Sequence, residues 1–377
     1  MTIARKYPVL AGSIALLLAA GATSAQAGST ARDSLPAAKA AHAAAPASIP
    51  GVTAAAPAMA SAAAPATVVS KPIRIVLPSL STTLATSSSA ASTPQLADES
   101  GYYPVPQATA AVYFSAHPDD FLLFQNPFPD AAANARMIYI FVTAGDAGLG
   151  VGPSNAPYYL AREAAAIKAI RFMADAARPW AETATPSNVS VNGHPIYKYS
   201  YRSSVAYFLR LPDGNGGGEG FPGTGNVSIV KLYKGGANIL SAVDNSTTYN
   251  GWKDLSDTVT AIVKSEIAGQ PYVTLNANDT DESKNPGDHH DHYATGALAS
   301  AVKNALPCTY LASHMGYALA GMMTLSGRET VDKSGAFASY ATGLNENNYF
   351  GAWDNAHKAW LNGLVKRNAG AGYRCNY

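Results

Sequence analysis

Two six-residue apolar runs, 111–116 (Ala-Val-Tyr-Phe-Ser-Ala) and 137–142 (Met-Ile-Tyr-Ile-Phe-Val), each stop at a sharp polar turn. A breaker-free stretch, 158–177, then places Leu160, Ala164, Ile167, Ile170 and Met173 at helical spacing. Runs this short, bounded by turn residues and without polar alternation, read as strands buried on both faces. Strand, loop, strand, long helix is the rhythm of an α/β domain, so the expected fold is a Rossmann-like layered one with a mainly parallel sheet flanked by helices. Residues 255–267 and a segment from about His292 to Ala305 read as further helices, and 227–233 and 272–275 as strands. A β-rich insertion is expected over 197–210, ending in a glycine-dense stretch, 213–225. After Leu325 the pattern is mixed, with aromatics (Phe337, Tyr340, Tyr349, Phe350, Trp353, Trp360) suited to capping the domain or walling a pocket.

The hundred residues before this rhythm are of a different kind. Residues 1–27 carry a short basic start (Arg5, Lys6), an apolar run and Ala25-Gln26-Ala27, the layout of a secretory signal peptide. Residues 28–100 are dominated by Ala, Pro, Ser and Thr, too poor in large apolar groups to offset their ordering entropy, and read as a disordered linker with one apolar patch at 73–77. The folded domain is therefore expected over 101–377, in a secreted or periplasmic protein with no transmembrane span in the mature chain. Removal of 1–27 takes two of the 26 Lys+Arg and leaves 24 against 25 Asp+Glu, a balance without the basic footprint of a nucleic-acid binder. Export would let the two cysteines, Cys308 and Cys375, form a disulfide.

Chemistry concentrates in two motifs. The first apolar run ends in Ala-His-Pro-Asp-Asp, residues 116–120, at the carboxyl end of a strand, where open α/β sheets place their ligands. Residues 288–292 read Asp-His-His-Asp-His at the start of a helix, with His289 and His292 three apart. His117 and Asp120 can close on one metal from a tight turn, and a histidine of the second motif can complete a His2Asp site that leaves a position open. Asp119 then remains to accept a proton from a water the metal polarises, and a further histidine can act as acid or oxyanion donor. Spacing alone does not choose the third ligand among His289, His290 and His292.

The two motifs resemble those of the PIG-L/LmbE-like zinc-dependent de-N-acetylases, in particular exported bacterial members. Ala116–Asp120 matches the family's Ala-His-Pro-Asp-Asp, and His289, His290, Asp291 and His292 match its His-x-Asp-His. Further likeness runs through 121–124, 143–148, Arg162-Glu163 and 209–214. The resemblance implies Zn2+ on His117, Asp120 and His292, Fe2+ or another divalent ion being compatible with the same donors. It implies Asp119 as general base, His289 as a protonated acid or oxyanion donor, and Asp291 as its orienting partner. It also implies Arg162 at substrate oxygens. Asp146 reads as a sugar-hydroxyl contact or an ordinary turn residue, the 213–225 stretch as a connector or a lid, and His314 as structural. The function so implied is hydrolysis of an N-acetyl group on an amino sugar or glycoconjugate. The alternatives are a zinc amide hydrolase for another acyl amine and a catalytically silent glycan-binding module. The pattern leaves His290 without a role.

Overall fold

A computed structural model describes residues 108–377 except 130, 131, 133, 134, 152–156, 177, 179 and 371. The expected signal peptide, linker and 73–77 patch lie outside the described residues. Ten strands are described: β1 (Ala110–Ser115), β2 (Arg136–Thr143), β3 (Thr185–Val191), β4 (His194–Tyr201), β5 (Ser204–Leu211), β6 (Leu240–Ser241), β7 (Thr248–Tyr249), β8 (Val273–Asn278), β9 (Tyr310–His314) and β10 (Lys366–Gly370). Six α-helices accompany them: α1 (Tyr158–Asp175), α2 (Ile229–Tyr233), α3 (Trp252–Glu266), α4 (His290–Ala305), α5 (Gly327–Glu346) and α6 (Asn355–Lys358). Eight strands form one sheet in the order β10-β9-β8-β1-β2-β5-β4-β3, parallel from β9 to β5 and antiparallel at both edges.

Both faces of the central strands are buried, and the two faces differ in chemistry. Tyr113, Met137, Tyr139, Phe141 and Phe208 face an aromatic core completed by α1 and α5. Phe141 stacks on Phe208 at 4.8 Å and Tyr113 on Tyr139 at 5.5 Å. Val112, Phe114, Ile138, Ile140 and Val142 face a mainly aliphatic core under α2, α3 and α4. Covering both faces removes any need for polar alternation, so strands β1 and β2 read as unbroken apolar runs.

The chain leaves β1 toward β2 on one side, and β8 and β9 lie on the other. Strand order therefore reverses at β1, and the crevice beyond the carboxyl ends of β1 and β8 is the expected ligand position for such a sheet. Cys308 and Cys375 are joined as a disulfide across 67 residues, with Cα atoms 5.1 Å apart. Among the described residues no helix is long and apolar enough to cross a membrane.

One expectation is refined and one corrected. The 197–210 segment is β-rich as expected, and it lies within the main sheet, β4 pairing antiparallel with β5 and β5 parallel with β2. The 227–233 segment is no strand. Ser228 accepts a hydrogen bond from Lys231 N at 3.1 Å and caps the short helix α2, a span too brief for apolar residues to betray a helical period. The mixed region after Leu325 holds the 20-residue helix α5, opened by a Ser326/Glu329 capping box that is legible as Ser-x-x-Glu.

Candidate metal centre

The turn after β1 is built by its own polar groups. Ser115 Oγ donates to His117 O at 2.5 Å and accepts from Phe121 N at 3.1 Å, bracketing Ala116 to Asp120. Thr143, at the end of β2, donates its backbone N–H and its hydroxyl to Ala116 O at 2.9 and 2.7 Å. A single π-helical turn, Phe121–Gln125, follows, with Asn126 in the left-handed region at φ 48°. Such turns recur where a helix is locally reshaped around a site.

One ligand atom from each of His117, Asp120 and His292 lies within 4.8 Å of the others, all three residues buried. His117 Nδ1 is 3.1 Å from Asp120 Oδ2, and His292 Nε2 is 3.2 Å from Asp120 Oδ1. Asp120 Oδ1 and His292 Nε2 are both buried, and among the described residues neither meets a partner in hydrogen-bonding geometry. His292 Nδ1 is 2.8 Å from Asp288 Oδ1, which commits its proton to the carboxylate and turns the Nε2 lone pair inward. A carboxylate behind a histidine is the usual support of a metal-ligating imidazole. Asp288 is itself fixed by Asn285 Nδ2 at 2.6 Å and Tyr317 N at 3.0 Å.

The electrostatics suit a cation. Burial opposes the charged form of each partner, yet His292 and His117 hold Asp120 well below the usual carboxylate range. Against the same burial, Asp120 and Asp288 raise His292 to about 10. The cluster thus retains positive charge beside its carboxylates, a charge that a divalent ion can supply in place of protons.

A second group, His117, Asp213, His289 and Asp291, also brings its ligand atoms within 4.8 Å of one another. His289 is the N-cap of α4, and its Nδ1 accepts from Asp291 N at 3.2 Å. That bond places the proton of a neutral ring on Nε2, facing the centre. Burial and the neighbouring His117 push His289 down to about 4, so its surroundings favour the neutral ring over the charged form implied by family likeness. Asp291 accepts from Gly214 N at 2.7 Å, and a side chain on Gly214 would collide with the Asp291 carboxylate. Asp213 Oδ2 is 3.8 Å from His117 Nε2 and Asp213 Oδ1 is 3.9 Å from His289 Nε2, both too long for hydrogen bonds.

Asp119 is buried, and its Oδ1 is bonded by Arg162 Nη2. Arg162 is 1% exposed and also donates to Tyr340 Oη and Gly145 O, both at 2.9 Å, so these protein acceptors engage its guanidinium. Gly145, at φ +54°, lies so close to that guanidinium that a Cβ would overlap it. The next residue, Glu163, receives the Arg210 fork at 2.6 and 2.8 Å. Arg210 sits in a β-bulge three residues before Asp213, at φ +58°. Asp146 is buried, with its carboxylate accepting from Asp213 N and Gly150 N, both at 2.8 Å, and it braces the loop.

Sequence reasoning assigned no role to Asp213, Asp288 or Tyr317. Asp288 opens the second motif, and Asp213 precedes a glycine at the end of a strand on the same sheet edge, which is the signal that marks it. Tyr317 packs its ring 5.3 Å from His292 and 5.2 Å from Trp360, walling the centre. His290 points elsewhere and bonds Gly217 O through Nδ1. His314 Nε2 is 3.0 Å from Asn276 Oδ1, and burial lowers it to about 3, as suits a neutral structural histidine.

No family model and no curated protein matches the chain. Among solved structures, an N,N'-diacetylchitobiose deacetylase from Pyrococcus horikoshii, bound to its inhibitor MPG, shares 12% identity with a TM-score of 0.37, over 64% of this chain and 72% of its own. Teicoplanin deacetylase Orf2, in a zinc-inhibited form, shares 15% with a TM-score of 0.34, over 65% of this chain and 91% of its own. Likeness at this level transfers no residue, and the site described above stands on its own geometry.

Proposed function

We propose that the chain is an exported, zinc-dependent hydrolase that removes the acetyl group from an N-acetylated amino sugar or glycoconjugate. The observation that carries this reading is the convergence of His117, Asp120 and His292 on one buried point, with Asp119 beside them and His289 Nε2 facing the same space. The donor set fits zinc, since it combines two imidazoles with one carboxylate, and its second carboxylate, Asp288, already orients His292. A zinc ion held by His117, Asp120 and His292 would supply a Lewis acid to an attacking water and to the amide carbonyl.

The protein's own groups account for the proton movements. Arg162 holds one oxygen of Asp119 and so orients the carboxylate, which takes the proton from water as its oxygen bonds to the acetyl carbon. His289 donates its Nε2–H to the oxygen that becomes negative, and the Asp291 N–H keeps the ring in that tautomer. The proton on Asp119 then passes to the nitrogen, the C–N bond breaks, and acetate and a free amine leave. In this reading Arg162 acts through Asp119, and Asp146 acts by holding the 213–214 turn.

The experiment is metal analysis of the purified full chain together with acetate release from a panel of N-acetylated sugars. One zinc per chain with acetate and amine in equal amounts is the expected result. Tight zinc with sugar binding and no amine product would instead favour a silent glycan-binding module, and amine release only from non-sugar amides would favour the other acyl substrates.

A further inference from the structure

His290 is the one histidine of the second motif that turns away from the metal centre, and it lines a groove of about 150 Å3 on the other side of the first turn of α4. Its apolar lining comes from Val230, Ala294 and Ala297, joined by Tyr233 and Tyr293. Tyr233 is 47% exposed and is held from behind by Trp252, ring to ring at 4.7 Å. The Tyr293 hydroxyl is committed inward, donating to Asn285 O and accepting from Asp288 N.

Lys234 and Glu282 line the same groove, and neither side chain forms an ion pair or hydrogen bond among the described residues. Thr280 adds a hydroxyl. His290 Nδ1 is the donor to Gly217 O, so Nε2 is the ring nitrogen left to meet a ligand. A lining that combines small apolar side chains and a half-exposed tyrosine with one ammonium, one carboxylate, one hydroxyl and one imidazole has a definite complement. It is a small ring with an apolar C–H face and a rim of hydroxyls that both donate and accept. The balanced single charges disfavour a phosphate or a polycation. A purely apolar ligand would leave two charges desolvated without partners.

We propose that this groove is a sugar subsite outside the metal centre, taking one pyranose residue, and that the preferred substrate is an oligomeric N-acetylated glycan. The substrate half of the proposal rests on the deacetylase reading, whereas the binding half does not. Groove and centre share a wall. His289 faces the centre and His290 faces the groove, while His290 N and Nδ1 hold Gly216 O and Gly217 O of the loop that carries Asp213. One glycan chain lying across this wall would meet both sites.

The test uses the full-length, zinc-loaded chain and its Tyr233→Ala/Glu282→Ala variant, whose two changes are exposed and leave the core untouched. Saturation-transfer NMR with glucose, N-acetylglucosamine and a β-1,4-linked N-acetylglucosamine tetramer reads binding without turnover. The expected result is transfer from at least one of these sugars to the wild type that weakens in the variant, with circular dichroism unchanged. Acetate release should show KM for the tetramer raised about tenfold in the variant and kcat/KM for the monosaccharide unchanged. Saturation transfer identical in the two proteins, or absent from both, overturns the subsite. Lost binding with tetramer and monosaccharide turnover equally affected overturns its role in substrate choice. Absence of any deacetylation refutes the enzymatic reading and leaves the NMR comparison to decide the groove.

Discussion

Arg210 should be more stable as glycine than as alanine, even though both substitutions delete the same ion pair. The residue lies in a bulge of β5, where Leu209 and Arg210 together oppose the single residue between Phe141 and Thr143 of β2, and its φ of +58° is in the left-handed region. A non-glycine residue held there costs about 1–2 kcal/mol. The native side chain offsets this cost through the fork onto buried Glu163 at 2.6 and 2.8 Å, a bond to Asp244 at 2.7 Å, and cation–π contacts with Tyr159 and Tyr197 at 5.5 and 5.2 Å. Removing one partner of a largely buried pair costs about 3–5 kcal/mol, and the lower end applies because Glu163, already raised by burial, can take up a proton. Arg210→Ala should therefore lose about 3 kcal/mol, and Arg210→Gly about 2 kcal/mol because the strain is relieved. Calorimetry at neutral pH with zinc in excess should place the Tm of Arg210→Gly about 2–4 °C above that of Arg210→Ala, as expected for a domain of this size. Both variants should bind zinc normally and release acetate more slowly, since the bulge sets the approach of Asp213. Arg210→Ala equal to or more stable than Arg210→Gly would refute the strain argument. Unchanged acetate release would refute the link from bulge to centre.

Asp119→Asn should keep its zinc and lose about 10²- to 10⁴-fold in kcat, the range for removing a positioned base; acetate assays beside metal analysis check this, and full activity would remove Asp119 from the reaction. Lys333 donates to Leu123 O, Trp360 O and Gly363 O at 2.6–2.7 Å, and burial lowers it to about 7. The unfolded chain keeps that proton to about pH 10.4, so between these values the unfolded state binds more protons and the lysine's contribution to stability rises with pH. The Tm of wild type minus that of Lys333→Met should accordingly climb from about pH 6 to about pH 10, and a flat difference would contradict the lowered pKa. Replacing Cys308 and Cys375 by serine opens a 67-residue loop and should cost about 4 kcal/mol, measured by urea unfolding; a loss below about 1 kcal/mol would show that the bridge only follows the fold.

The central strands were legible because their information is local. β1 and β2 are apolar except near their ends, at Ser115, Arg136 and Thr143, and burial on both faces is the simplest physical reading of such runs. The helix capped by Ser228 was misread, since five residues with Ile229, Val230 and Leu232 buried look the same under period 2 and period 3.6. The place of β5 was missed for another reason. Tyr197 to Arg210 reads correctly as extended chain, but which neighbour a strand pairs with depends on the crossover, and here that crossover runs through α1 and the antiparallel β3–β4 hairpin.

The same distinction divides the candidate site. The residues at the metal centre come from two short motifs that also hold Asp119, His289 and Asp291, so residue type and spacing marked both stretches, while His292 as third ligand and Asp291 as orienting partner followed only from the family resemblance. The groups that hold them in place are far away in the chain: Arg162 is 43 residues from Asp119, Glu163 is 47 from Arg210, Gly214 is 77 from Asp291, and Tyr340 is 178 from Arg162. No periodicity links such pairs. What the sequence does carry is an anomaly in α1, where two adjacent charges, Arg162 and Glu163, are buried at the start of a helix otherwise buried through tyrosine, alanine, isoleucine and methionine. Buried adjacent charges of opposite sign point to different sides of a helix, so they are not placed to neutralise each other and each requires a partner elsewhere. Arg162 finds Asp119 after β1, and Glu163 finds the bulge that leads to Asp213 after β5. One turn of one helix thereby sets two strand-end loops against each other, and the geometry of the centre depends on α1 as much as on the motifs that first marked it.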